Sequence, residues 1–270
     1  MTAAAADLGD RELRAWATAE LAAAGCVSAA AEADWLLEEA PDPDALRAMV
    51  ARRAAGEPLQ YVIGWAPFGP LRLRVGPGVF VPRPETETLA DRAAAFLRSI
   101  PAPRIAVDLC TGSGAIACFL AAEAPGTRVV ATELDPGALA WATGNAERHG
   151  VELLAGDLDD PLPAELAGQV DVLCANVPYV PSGAIATLPT DVRDHEPRRS
   201  LDGGPDGLEV FRRLAGRASH WLAPGGRLYA EIGEDQAAAA AALLTGAGLA
   251  EVAVHQDLVG RDRIVEGSRP

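Results

Sequence analysis

The stretch Ile105-Ala-Val-Asp108-Leu-Cys110-Thr-Gly112-Ser-Gly114-Ala-Ile-Ala117 runs from a short apolar segment straight into a glycine-rich turn and then into helix-favouring residues. Its first part, 105–109, predicts a strand and 115–123 a helix. Glycines at such a junction let the backbone turn tightly and let a ligand approach the peptide groups, which a Cβ would obstruct. The same rhythm continues downstream. Strands are predicted at 128–132, 151–154, 170–175 and 227–232, with helices at 136–149, 207–221 and 235–246. Segments 251–256 and 263–266 read as a closing antiparallel pair joined by Asp-Leu-Val-Gly-Arg-Asp. Strands alternating with helices in this way imply an α/β fold. The sheet is doubly wound and mostly parallel with an antiparallel last strand, and its ligand sits at the carboxyl ends of the strands.

Upstream the pattern changes. From Leu8 to about Ala55 the apolar residues recur at helical spacing: Leu13, Trp16 and Leu21, then Trp35, Leu36 and Leu37, then Leu46, Met49 and Val50, with Pro41 and Pro43 as breaks. A small helical domain over 1–57 is expected. Residues 58–82 are rich in Gly and Pro, with short alternating segments at 61–63, 71–75 and 79–81, and predict a β-hairpin connector. Pro84 suits the first position of a helix whose positive first turn would welcome Glu85 and Glu87. The α/β domain then spans 83–270.

Composition narrows the function. The 270 residues are 49% apolar and 23% charged, ordinary for a globular chain, and carry a net charge of −15. Such acidity argues against gripping a nucleic-acid backbone over a broad basic face, so a protein or small-molecule partner is expected. All 23 basic residues are arginine, and asparagine occurs only at 145 and 176, a pattern read as coding bias. The four cysteines, Cys26, Cys110, Cys118 and Cys174, lack metal-ligand spacing and are expected to be reduced core thiols, with no metal bound. The amino terminus lacks the cations and apolar run of a signal peptide, and no window approaches the ~20 apolar residues of a membrane span. A cytoplasmic monomer without membrane contact is the expectation.

The glycine loop has a partner in Glu133, which closes the second predicted strand. A carboxylate there can accept both hydroxyls of an adenosine ribose. Nicotinamide enzymes share this pairing, but Asp108 at the end of the first strand favours S-adenosylmethionine. An acid there can hold the ammonium of a methionine moiety and would repel a pyrophosphate.

A second motif, Asn176-Val177-Pro178-Tyr179, follows the apolar strand 170–175. An asparagine at a strand's carboxyl end, stiffened by proline, is a preorganised polar group facing the ligand crevice. Methylating a planar nitrogen is hard because its lone pair is delocalised. Two acceptors, the Asn176 side chain and the Val177 carbonyl, can hold the two N–H hydrogens and stabilise the positive charge that develops. Tyr179 offers a face for the flat group.

These motifs resemble those of the HemK/PrmC protein-(glutamine) methyltransferases, which modify the glutamine of the Gly-Gly-Gln motif in peptide-chain release factors. The resemblance covers nearly the whole chain. It includes Gly56-Glu-Pro-Leu-Gln-Tyr61, Val81-Pro-Arg-Pro-Glu-Thr-Glu87, the 108–117 loop and 176–179. Glu196-Pro197, Leu201-Asp-Gly-Gly204, Asp206-Gly-Leu208, Glu231-Ile-Gly233 and Gly260-Arg-Asp-Arg263 follow in the expected order. It implies a Rossmann-like, class I S-adenosyl-L-methionine-dependent methyltransferase that acts in translation termination, with S-adenosyl-L-homocysteine as product. The cofactor would lie on Cys110, Thr111, Gly112, Ser113, Gly114 and Glu133, with a contact from Leu158. Asn176, Val177, Pro178 and Tyr179 would bind the glutamine, Glu196 would shape the substrate loop, and the helical domain would recognise the substrate protein. The main departure is Val177, where the family typically has proline; Pro178 still biases it to an extended conformation. Alternatives of the same or other classes are methylation of a glutamine in another protein, adenine methylation in nucleic acid, an NAD-dependent oxidoreductase, and a catalytically silent binding protein. Arg193, Arg198, Arg199, Arg212, Arg213 and Arg217 form a local basic cluster that reads as a solvated face.

Overall fold

The computed structural model describes residues 9–270; the expected helix start at Leu8 lies outside the described residues. Helices α1 (Asp10–Ala23), α2 (Ala29–Glu39) and α3 (Pro43–Ala54) bury Leu13, Leu21, Leu36, Leu46 and Val50 against one another. Asp42 caps α3 by accepting from the Ala45 amide at 2.8 Å, with Pro43 in the first helical position.

The connector departs from expectation at 61–63, which is not a strand but part of a one-turn helix, α4 (Leu59–Ile63). Three residues are too few for period two to be told from a helical turn, and the turn begins two residues earlier, at Leu59, with Pro58 as its N-cap. The turn splits its side chains: Val62 joins the helical cluster, while Tyr61 packs with Val75, Val79 and Val81 and donates its hydroxyl hydrogen to the Val79 carbonyl. The hairpin itself is β1 (Trp65–Phe68) and β2 (Leu71–Arg74). Residues 79–81 form no strand, although Val79 and Val81 are buried. Trp65 stacks on Trp35 of α2 and carries the Arg72 guanidinium on its ring at 4.1 Å, which ties the hairpin to the helices.

The α/β part follows as α5 (Pro84–Ser99), β3 (Arg104–Leu109), α6 (Ala115–Glu123), β4 (Thr127–Glu133), α7 (Pro136–His149), β5 (Glu152–Ala155) and β6 (Val170–Ala175). Two short helices, α8 (Thr190–Arg193) and α9 (Arg198–Leu201), precede α10 (Glu209–Trp221), β7 (Leu222–Glu231), α11 (Ala237–Gly246), β8 (Ala250–Gln256) and β9 (Asp262–Ser268). The sheet order is β5-β4-β3-β6-β7-β9-β8, parallel throughout except for β9, which inserts antiparallel between β7 and β8. The strand order therefore reverses between β3 and β6, and the crevice above that point is where such sheets bind ligands. Side chains alternate across it: Leu173 and Ala175 join one core with Phe211 and Leu244, while Val172 and Cys174 join the other with Leu89 and Phe119.

Strand β7 starts earlier than expected, and the register shift between Val170 and Val172 absorbs its Pro-Gly-Gly segment. Among the described residues no helix is long and apolar enough to cross a membrane. Cys118 and Cys174 are core thiols as expected, but Cys110 is half-buried and faces the central cavity.

Candidate active site

A cavity of about 740 Å³ opens above the β3/β6 switch point, lined on one side by the glycine loop and on the other by the 176–180 segment. In the loop Cys110, Gly112 and Gly114 all have positive φ, at 57°, 58° and 87°. Glycine reaches that region without strain, and Cys110 is held there by the loop around it. The turn is pinned by the Thr111 amide donating to the Thr132 carbonyl at 3.0 Å and the Gly114 amide to the Thr111 carbonyl at 2.8 Å. Of the residues predicted to hold the cofactor here, Cys110, Thr111, Gly112, Ser113 and Glu133 line the cavity, whereas Gly114 stands behind it as the N-cap of α6.

Asp108, expected to hold an ammonium, keeps its Oδ1 buried without a partner, while its other oxygen is engaged in the loop. It is wholly buried, does not line the cavity, and accepts through Oδ2 from the Thr111 hydroxyl and from the Ala117 amide at 3.1 Å. It fastens the loop to the first turn of α6. Burial pushes its pKa up to about 7, opposed by those two hydrogen bonds. Glu133 stays at the cavity wall. Its Oε2 accepts from the Gly112 amide at 2.8 Å, and its Oε1 from the amides of Leu134 and Asp135 at 2.9 and 2.8 Å. Burial raises its pKa while these three donors favour the ionised form. A carboxylate has about four acceptor sites, so capacity remains for a ribose hydroxyl.

Leu158, expected to touch the cofactor, does not line the cavity. It sits at φ 48° with its side chain 3% exposed in the core beside Leu162 and Leu166, and it is Asp157 that reaches the cavity. The left-handed residue turns the chain so that the apolar side chain enters the core and its acidic neighbour faces out. Asn145, noticed in the sequence only for its rarity, has a definite task. Its Nδ2 donates to the carbonyls of Ser113 and Arg74 at 2.8 and 3.0 Å, and its Oδ1 accepts from the Arg74 amide at 2.9 Å. One buried amide thus welds the connector hairpin to the glycine loop.

Across the cavity, Asn176, Pro178 and Tyr179 line the wall, whereas the Val177 side chain is buried in the core, so what Val177 can offer an acceptor is its backbone. The Asn176 Nδ2 donates to Thr86 Oγ1 at 3.2 Å; Thr86 donates to Glu231 Oε2 at 2.5 Å; the Tyr179 hydroxyl donates to Glu231 Oε1 at 3.2 Å. Glu231 is 1% exposed. Burial raises its pKa, offset by the two hydroxyl donors and by the charge of Arg263. Gln236 adds a brace, donating to the Tyr179 carbonyl at 2.9 Å and accepting from the Gly233 amide at 2.8 Å. Thr86, Glu231 and Gln236 were not singled out from the sequence as site residues. The available signal was an acid closing an apolar strand at Glu231.

Glu196 is buried behind the cavity wall, not in it. It accepts from the Val81 amide at 3.3 Å and the Arg83 guanidinium at 2.7 Å, fastening the substrate-side loop to the connector, and burial lifts its pKa to about 7. The six clustered arginines each face an aspartate: Arg193 with Asp194, Arg198 with Asp202, Arg199 with Asp135, Arg212 with Asp206, Arg213 with Asp157 and Arg217 with Asp159. The cluster is charge-compensated, which agrees with the solvated-face reading.

A glycine loop, an acid at the end of the next strand and an amide-bearing third strand end, all facing one crevice of a mostly parallel sheet, define a class I S-adenosylmethionine-dependent methyltransferase. Residues 106–193 match a family model described as Methyltransferase domain. The solved T. thermophilus 16S rRNA N2 G1207 methyltransferase, determined with AdoMet and guanosine, shares the fold. Its TM-score is 0.55 at 20% identity, over 76% of this chain and 50% of that one. Relatives in sequence are closer. The release factor glutamine methyltransferase of Mycolicibacterium smegmatis is 43% identical over 94% of this chain and 95% of its own length. That of Geobacter sulfurreducens is 38% identical over 95% of each. The chain belongs to the release factor glutamine methyltransferase family.

Proposed function

We propose that this chain methylates the side-chain amide nitrogen of a glutamine in a peptide chain release factor, using S-adenosyl-L-methionine and leaving S-adenosyl-L-homocysteine. The observation that carries the reading is the Asn176 amide, standing in the same cavity as the glycine loop and Glu133. The cavity fits the cofactor. Glu133 can accept from a ribose, and Cys110, Thr111, Gly112 and Ser113 present a loop whose backbone a ligand can approach closely. When bound, the cofactor supplies an electrophilic methyl group on a sulfonium centre.

The chain's own residues do the rest. Asn176 Oδ1 and the Val177 carbonyl accept the two N–H hydrogens of the acceptor amide, point its nitrogen towards the methyl donor and stabilise positive charge as it develops. The Tyr179 ring supports the flat amide. No strong base is required, because an N-methylated, positively charged amide sheds its proton to water. Residues 1–57 serve as the substrate-recognition domain, 58–82 as the connector and 83–270 as the catalytic domain. The enzyme works as a cytoplasmic monomer without nucleic acid. Its net charge of −15 and its paired arginines support the last point over adenine methylation.

The decisive experiment incubates the protein with methyl-labelled cofactor and a bacterial release factor, then maps the label by mass spectrometry. Label on the glutamine of Gly-Gly-Gln is expected; label on any other residue type refutes the acceptor assignment.

A further inference from the structure

We propose that Glu231, acting through Thr86, fixes which end of the Asn176 amide faces the substrate, and so makes this side of the site accept hydrogen bonds and not donate them. The inference rests on the proposed glutamine acceptor and names how the site tells an amide from a carboxylate. The proton count carries it. Thr86 has one hydrogen to give, and Glu231 Oε2 lies 2.5 Å from its oxygen. The other Glu231 oxygen takes the hydrogen of the Tyr179 hydroxyl at 3.2 Å. The two hydroxyl donors and the nearby Arg263 charge favour the ionised form of Glu231 against its burial, and an ionised carboxylate only accepts, so both hydroxyl hydrogens are committed to it.

Thr86 then has only lone pairs for Asn176, 3.2 Å away, and must be met by the Nδ2 end of the amide. Oδ1 is left as the free end. The reversed amide would place Oδ1 against the Thr86 lone pairs, two acceptors without a hydrogen between them. The three groups come from separate elements: Thr86 from the first turn of α5, Asn176 from the end of β6 and Glu231 from the end of β7. Thr86 and Glu231 are both buried, so water cannot replace either partner cheaply. A glutamine side chain brings two N–H donors to this face and is accepted. A glutamate brings lone pairs and is refused.

Thr86→Val keeps the shape and removes the hydroxyl; Thr86→Ser keeps the hydroxyl. The readouts are turnover on a release factor, and inhibition by the same release factor carrying glutamate in place of the acceptor glutamine. Thr86→Val should lose about tenfold or more in kcat with unchanged affinity for S-adenosylhomocysteine. Its discrimination against the glutamate variant should shrink at least threefold, because the freed amide can present Nδ2. Thr86→Ser should restore both. A valine variant with wild-type turnover or wild-type discrimination overturns the inference, and so does a serine variant that behaves like valine. Glu231→Gln should cost far less in the Thr86→Val background than alone; equal losses would remove Glu231 from the role. If the unaltered enzyme methylates no release factor, the proposed function fails first and the inference falls with it. Normal methylation by Thr86→Val sinks the inference alone.

Discussion

Asn176 Oδ1 is one of two acceptors proposed to hold the acceptor amide, and its removal should be felt in chemistry, not in cofactor binding. Asn176→Ala should reduce turnover about 10²–10³-fold, the usual cost of one preorganised partner of developing charge, with S-adenosylhomocysteine affinity nearly unchanged by calorimetry. Turnover near wild type would be incompatible with the assignment. Asp108 makes a prediction in the opposite sense, about stability. Its folded-state pKa is pushed up to about 7 from the ordinary 3.8, so between about pH 4 and 7 the folded chain holds a proton that the unfolded chain has released. Its contribution to stability is therefore complete below about pH 4, declines as pH rises and levels off above about pH 7. Asp108→Asn should flatten that decline in thermal unfolding of the ligand-free protein. Parallel wild-type and mutant curves would contradict the raised pKa. Single residues were legible in the sequence where their type is unusual for their place: Glu133 and Asn176 at strand ends. Leu158 was not, because its left-handed backbone, which turns the side chain inward, has no signature in an ordinary leucine.

The elements that frame the site were largely legible, since helical and strand periods are local properties. The bounds of α6, α7 and β6 match expectation residue for residue. The loop that shapes the acceptor wall was legible only as a motif. Gly203 and Gly207 of that loop explain themselves once packed: a Cβ on Gly203 would lie 2.6 Å from the carbonyl oxygens of Gly207 and Pro178, and one on Gly207 2.2 Å from that of Tyr179. Two backbone segments touch there with no room for a methyl group. Gly203→Ala must displace the 176–179 segment, so it should cost about 1–3 kcal/mol in stability and lower turnover more than cofactor affinity. Urea unfolding and single-turnover kinetics test this; an alanine variant with normal turnover would show that the backbone contact does not position the segment.

At the scale of the whole molecule, charge and ligand linkage are the measurable quantities. S-adenosylhomocysteine at a hundredfold excess over its Kd should stabilise the fold by about 2.7 kcal/mol, a rise of roughly 5–10 °C in Tm for a domain of this size. NAD should give no such rise; the reverse result would favour the oxidoreductase alternative. A chain of net charge −15, whose one local arginine cluster is matched by aspartates, should also ignore polyanions. Adding single-stranded or duplex nucleic acid at physiological salt is expected to leave methylation of a release factor unaffected, and strong competitive inhibition would reopen the adenine reading.

The alternating α/β order, the glycine loop with Glu133, the Asn-Val-Pro-Tyr segment and, through their resemblance to a known family, the reaction can all be read along the chain. Each of these is written in neighbouring residues or in a short period. That Asp108 braces its loop, that Leu158 is core, that Asn145 joins the hairpin to the glycine loop and that Thr86 and Glu231 stand behind Asn176 emerges from packing in three dimensions. Thr86 and Glu231 are 145 positions apart, and Asn176 lies 90 positions from Thr86. A hydrogen bond over such a separation depends on where three elements end in space, and no local pattern of residues encodes that.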